Sequence, residues 1–377
     1  MYVLMITPNK FPNGDAGAVR DYYFAKIYQE LGYDVVHIGE GEELQNGTYE
    51  GIQYYISYKM RESFGENLHY FLNYSLRISK IYSLIENSYG YPGLIHIYDI
   101  PAGGISWATH LAKKLNIPII HDSVEWYSPC EFRMGRLAYP YLLKEITNRF
   151  MIRKPISVIA ISTYLEKYFQ KKHLRTVRIP VIMDKNEFHP QETKAVPIEL
   201  IYAGSPAKKD CLCECVQAFQ QLPDSVRQKF RFRIFGANED TVSTFCGGKL
   251  PTEIIVYGRT SRDVVIEHLA RADFALLLRP DGERYTKAGF PTKVVEAMMN
   301  GCAMICNITS DLGRYLDNEG NAIVLSTNTI EEVRSAFEYM SKMSTERIDE
   351  LKSVARNTAV NYFDYRVYID RVRELIG

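Results

Sequence analysis

The feature that most constrains this chain is its rhythm: short, unbroken apolar runs of strand length alternate with helix-period segments from one end to the other. Residues 2–7 form the first run. Val19, Tyr23, Ile27 and Leu31 then recur every four residues, and Gly32 closes that helix. Further strands are expected at 34–39, 94–100, 117–122, 157–162 and 176–181. A second series follows at 199–203, 230–235, 253–257, 273–278, 302–307 and 322–325. Strands that are apolar throughout are buried on both faces, so helices cover both sides of parallel sheets. In the second series Ser261 caps a helix carrying Val264, Val265, His268 and Leu269. Gly301 ends the one carrying Val294, Val295 and Met298.

A chain of 377 residues suits two domains of roughly 150–200 residues. Pro180, Pro190 and Pro197 mark the stretch 181–197 as the linker. The expected division is 1–182 and 183–355, each a Rossmann-like domain. Helix 356–377 is expected to pack back on the first domain. Two doubly wound parallel sheets bind ligands beyond the carboxyl ends of their strands, so the two crevices are expected to face one cleft.

Charge and cysteine content remove several function classes. Forty-five basic residues balance forty-five acidic ones, so no net field draws the chain to nucleic acid or to an acidic membrane. No run reaches about 18 apolar residues, and residues 1–7 are too short for a signal peptide. The expected location is cytoplasmic, with peripheral contact on the inner membrane face as an option. The sequons at Asn46, Asn73 and Asn307 are then chance matches. Seven scattered cysteines do not make a disulfide framework, and Cys211, Cys213 and Cys215 lack metal-knuckle spacing. They read as small helix residues, and no metal is expected.

Four segments carry chemistry. In the first, Gly289 and Pro291 form a turn before a helix, leaving the amides of Thr292 and Lys293 at an anion-favouring N-terminus. Glu296 lies one turn on, about 6 Å along the axis, where a carboxylate can accept from a ribose diol. An ordinary amphipathic helix with Glu296 at its surface fits equally. In the second, residues 202–210, a Gly-Ser-Pro loop delivers Lys208 and Lys209, either of which could neutralise a diphosphate; an exposed charged loop is the plainer reading. The third is the loop from Asn13 to Gly17, whose amides could approach phosphate, although it lacks a third fingerprint glycine. The fourth is His121, Asp122 and Glu125 at the end of an apolar strand.

The order of these segments resembles the retaining GT-B glycosyltransferases of family 4, which build bacterial capsule, exopolysaccharide and lipopolysaccharide. The resemblance spans nearly the whole chain and is most specific at Gly289-Phe-Pro-Thr-Lys-Val-Val-Glu296-Ala-Met with Gly301. It implies an α/β fold of GT-B type and a hexosyltransferase-like, metal-independent activity with no DxD sequence. No cofactor is implied beyond a UDP- or GDP-linked sugar as substrate, and the acceptor would be a saccharide or lipid-linked saccharide. By the same resemblance His121, Lys209 and Glu296 are the catalytic set. Gly17, Ser205, Lys208, Tyr257, Arg259, Gly289, Phe290, Pro291, Thr292 and Lys293 bind donor, and Arg20, Asp122 and Glu125 lie on the acceptor side. Glu296 resembles the ribose-binding glutamate, and Tyr257 to Arg259 the segment at the nucleobase. Two departures stand out: Ala288 replaces the first glutamate of the family's pair, and Ser205 replaces an arginine.

Other readings stay open. Glu40 after the second strand suits an NAD-dependent oxidoreductase, although the glycine set is incomplete. A nucleotide-sugar 2-epimerase shares the architecture, and a non-catalytic binding subunit would explain Ala288. Residues 60–91, rich in Tyr, Leu and Ile with Arg61, His69, Arg77 and Lys80, read either as a membrane-surface helix or as a helix packed on its own domain. The 28 tyrosines suit sugar stacking without locating a subsite.

Overall fold

The computed structural model describes residues 1–41, 44–58, 64–191, 197–204, 210–280 and 282–377. They divide into two compact units, Met1–Met183 with Tyr365–Gly377, and Asp184–Asp364.

The first unit opens β1 (Tyr2–Ile6), α1 (Ala16–Glu30), β2 (Asp34–Gly41), β3 (Gln45–Tyr49) and β4 (Ile52–Tyr58). It continues α2 (Phe64–Tyr89), β5 (Leu94–Tyr98), α3 (Ala102–Leu115), β6 (Ile119–Ser123) and α4 (Tyr139–Ile146). β7 (Ser157–Ala160), α5 (Thr163–Lys171) and β8 (Thr176–Arg178) complete its sheet. The strand order is β3-β4-β2-β1-β5-β6-β7-β8, parallel except at β3–β4. That antiparallel pair was not legible in the sequence, because β3 is polar and exposed along most of its length. A two-residue turn makes it: Glu50 and Gly51 both have positive φ, +46° and +79°, the conformation that matches strand twist.

The second unit runs β9 (Ile198–Ala203), α6 (Leu212–Gln220), α7 (Asp224–Arg227), β10 (Phe230–Phe235), α8 (Glu239–Phe245) and β11 (Ile254–Gly258). Then come α9 (Arg262–Leu269), β12 (Phe274–Leu277), α10 (Arg284–Ala288), α11 (Thr292–Met299), β13 (Ala303–Asn307) and β14 (Ala322–Leu325). Helices α12 (Ile330–Met340) and α13 (Thr345–Phe363) close it. Its sheet is parallel throughout, in the order β11-β10-β9-β12-β13-β14. The last helix, α14 (Ile369–Ile376), belongs to the first unit. The division expected at 355/356 falls inside α13, which runs unbroken to Phe363.

Each core follows from the pattern that predicted it. Every residue of β1, β6, β12 and β13 is buried, as strands covered on both faces require. In α2 the buried residues Tyr74, Ile78, Tyr82 and Ile85 recur along one stripe, while Leu76 and Leu84 face out. That stripe is the inward face of a packed helix. Phe219, Phe230 and Phe337 meet in the second core at centroid distances of 5.7–6.2 Å, within the favoured range for aromatic pairs. Cys211 and Cys215 are buried beside them.

Candidate functional site

The second sheet reverses its winding between β9 and β12. From β9 the chain moves to β10 and β11, from β12 to β13 and β14. Such a reversal opens a crevice at the carboxyl ends of the two central strands. Tyr202 and Gly204 lie at the end of β9, Arg279 lies just past β12, and Lys293 projects from the first turn of α11.

Asp210 ties these groups together. Its Oδ2 accepts from the Tyr202 hydroxyl at 2.9 Å and from the Lys293 ammonium. Its Oδ1 is 3.7 Å from Arg279 Nε. The Lys293 ammonium also lies 4.9 Å from the centre of the Tyr202 ring, a cation–π distance. Asn307 fixes the main chain of Arg279: the arginine amide donates to Asn307 Oδ1 at 2.9 Å, and Asn307 Nδ2 donates to its carbonyl at 2.8 Å. Two cations therefore share one carboxylate, an excess of positive charge among these described side chains. Burial pulls the Lys293 ammonium below its ordinary pKa against the opposing pull of Asp210. Gly204 makes room for it, since a Cβ there would collide with Lys293 Nζ.

Helix α11 begins beside this cluster. Pro291 stands at its N-cap position with φ of −78°. The first-turn amides of a helix have no intrahelical partners, and its dipole favours an anion there. The turn is anchored from below: the Phe290 ring packs against Tyr315 and Phe363, each 5.7 Å between centroids. The Gly289 amide donates to Tyr285 O at 3.1 Å. Phe290 thus offers main chain rather than ring. Ala288, the last residue of α10, is fully buried. Glu296 sits one turn down α11, where its Oε1 accepts from Arg262 Nε at 2.7 Å. A carboxylate has about four acceptor positions, so one arginine does not exhaust it. A cavity of about 350 Å³, lined in part by Arg262, Asp263, Ile266 and Asn300, adjoins the same α9 helix. At the end of β11 the Tyr257 ring stacks on Phe235 at 4.5 Å and 10°, and the neighbouring Arg259 is exposed. Ser205, Lys208 and Lys209 lie outside the described residues.

The carboxyl end of the first sheet is organised differently. Arg20 and Asp122 form a buried bidentate pair, Nε to Oδ2 at 2.6 Å and Nη2 to Oδ1 at 2.9 Å. Arg20 also donates to the carbonyls of Pro180 and Ile179. Both were expected on the acceptor side, and here they brace α1 and β6 against the chain leaving β8. Gly17 also has a structural reason. A Cβ there would strike the Asn9 side chain, and its amide already donates to Asp15 Oδ1 at 3.0 Å. Asn9 is held in turn by Asp21, which also accepts from Thr7 and lies 3.1 Å from His37. Glu40 is buried in β2, 3.7 Å from Arg77.

His121 lies deeper than the strand-end reading expected. The strand expected at 117–122 put it at an open end, but β6 runs Ile119–Ser123 and places it mid-strand, wholly buried. Neither ring nitrogen has a hydrogen-bond partner among the described residues, and Phe169 packs edge-on at 6.5 Å. Burial, reinforced by the Lys144 charge, pushes its pKa down to about 3. The imidazole is thus held neutral within the core. The accessible groups at this end are others. Asp99 follows β5 with φ of +45° and accepts from Lys144 at 2.5 Å. Half-buried Glu125 bonds the Tyr127 hydroxyl, whose pKa burial and the nearby carboxylates raise.

The expected residues Gly289 to Lys293 are therefore brought together with Asp210, Arg279 and Tyr202, which sequence reasoning had not assigned. The strand-end rule applied to His121 would have found Arg279. Asp210 and Lys293 lie 83 positions apart, and no local pattern links them.

Residues 184–358 match the family described as Glycosyl transferases group 1, which covers the second unit nearly entire. No curated protein matches the chain. Solved structures share its architecture at low identity. Sucrose-phosphate synthase from Thermosynechococcus elongatus superposes with a TM-score of 0.78 at 12% identity, over 100% of this chain and 98% of that one. WaaG, a glycosyltransferase involved in lipopolysaccharide biosynthesis, gives 0.69 at 13%, over 100% and 99%. Anabaena HepE in complex with UDP-glucose gives 0.66 at 13%, over 99% of both chains. These likenesses show a GT-B fold of two parallel-sheet α/β domains. The group 1 match lies within the second of these domains.

Proposed function

We propose that the chain transfers a sugar from a nucleoside-diphosphate donor, with retention at the anomeric carbon and without a metal, to a saccharide or lipid-linked saccharide acceptor in surface polysaccharide synthesis. The observation that carries the donor half is the Lys293–Asp210–Arg279 cluster at the winding reversal, beside the N-terminus of α11. Diphosphate brings the negative charge that the cluster lacks, and the first-turn amides supply donors for its oxygens. Glu296 takes the ribose hydroxyls, and the exposed face of Tyr257 takes the base.

In this reading the bond from the anomeric carbon to the phosphate oxygen breaks, and the electron pair leaves with the diphosphate. The acceptor oxygen bonds to that carbon from the same face, and its proton passes to the departing phosphate. Lys293, Arg279 and the α11 amides stabilise the developing charge, and fixed donors of this kind commonly contribute more to rate than any other single effect. The absence of a DxD sequence motivates metal independence. On the first unit Asp99 and Glu125 are the proposed acceptor-binding groups. His121 is given a packing role.

HepE binds UDP-glucose, which makes UDP-glucose the first donor to try. Purified protein incubated with UDP-, GDP- and ADP-sugars is expected to release nucleoside diphosphate from one class in the presence of EDTA. Release of nothing from any donor, with the protein folded, rules out the activity. Release of an altered nucleotide sugar without acceptor would favour an epimerase.

A further inference from the structure

Helix α4 is built inside out. With the π-helical turn Thr147–Met151 that extends it, it buries Lys144, Thr147 and Asn148 against its own unit. On the opposite side Leu142, Ile146 and Phe150 recur at helical spacing and remain 42%, 44% and 67% exposed. A helix packing on its own core shows the reverse. Just upstream, Met134 and Leu137 are 67% and 73% exposed. Five large apolar side chains so close together exceed the scattered exposure normal for a surface.

The charge around this face selects its occupant. Arg133, Arg136, Arg149, Arg153 and Lys154 are all exposed. The only acids of the same stretch are turned away: Glu131 accepts from the Ser128 amide, and Glu145 accepts from the Trp126 indole and Arg149. An apolar helix face rimmed by cations, with no exposed acid among residues 130–155, matches an anionic lipid surface, where the side chains enter the acyl boundary and the cations meet headgroups. We infer that residues 130–154 of the first unit dock this protein on an anionic bilayer. In the stretch 60–91 Arg61 lies outside the described residues, and the described part of the helix turns Tyr74, Ile78 and Ile85 into the core. Docking through residues 130–154 requires nothing of the chemistry in the second unit.

Co-sedimentation of the full chain with phosphatidylcholine vesicles, with and without phosphatidylglycerol, tests this at low and high salt. Binding is expected to the anionic vesicles alone and to weaken with salt. The double variant I146S/F150S should bind about tenfold more weakly or worse, and R133Q/R136Q should lose roughly fivefold per cation. All four side chains are exposed, so circular dichroism should report an intact fold for both variants. No anionic-vesicle binding at low salt, or binding that I146S/F150S leaves unchanged, overturns the inference. So does dimerisation in sedimentation velocity that the same variant abolishes while vesicles bind nothing.

Discussion

The two sheets end in opposite electrostatic states. At the carboxyl end of the first, each buried charge is answered within the unit: Arg20 meets Asp122 in two hydrogen bonds and directs its remaining donors to carbonyls. Asp21 is surrounded by Thr7, Asn9 and His37. At the end of the second, the ion-pair partner that Lys293 and Arg279 share among the described residues is Asp210. The same doubly wound topology thus yields a brace in one unit and a charge-deficient crevice in the other. Polar groups already satisfied within the fold have little left to offer a ligand; binding energy is available where they are not.

The largest effect should come from breaking the brace. Arg20→Ala leaves Asp122 buried and unpaired, and is expected to cost about 3–5 kcal/mol of stability, read as a lower denaturation midpoint in urea. A loss below about 1 kcal/mol would mean that the pair is replaceable by water. In the second unit the effect should fall on turnover. Glu296→Ala is expected to slow transfer roughly 10–100-fold, the worth of a charged hydrogen bond. Stability should barely move, because the ion pair it breaks, with Arg262, is partly exposed.

His121 gives an effect that is absent at neutral pH and smaller per pH unit. Its folded pKa of about 3 lies below the ordinary value of 6.5, so between them the unfolded chain binds a proton that the folded chain refuses. Stability is then whole above pH 6.5 and lost as pH falls toward 3, by up to about 1.4 kcal/mol per pH unit. His121→Leu should flatten that slope while leaving the pH profile of kcat/KM unchanged near 6.5. A profile that loses a limb there would return the imidazole to the chemistry. Smallest is Tyr257→Ala, expected to raise KM for the donor roughly two- to tenfold through lost stacking of about 0.5–1.5 kcal/mol, with kcat held.

What could be read from the sequence follows the range of the interactions. Apolar runs placed β1, β9 and β13 within a residue or two, because burial on both faces leaves an unbroken pattern. The turn at Gly289 and Pro291 announced α11 for local reasons of backbone geometry. The carboxyl end of β6 falls one residue later than expected, at Ser123, and leaves His121 inside the strand, since strand boundaries carry little local signal. The pairing of Arg20 with Asp122 spans 102 positions, and that of Lys293 with Asp210 depends on which strands become neighbours. Only the assembled sheet supplies that information.

The central claim is that the Lys293 cluster binds diphosphate, and thermal denaturation with and without UDP, GDP and ADP tests it without any acceptor. One nucleotide is expected to raise the melting temperature saturably, and folded Lys293→Met is expected to lose the rise. Equal shifts in wild type and Lys293→Met, or no shift with any nucleotide, would contradict it.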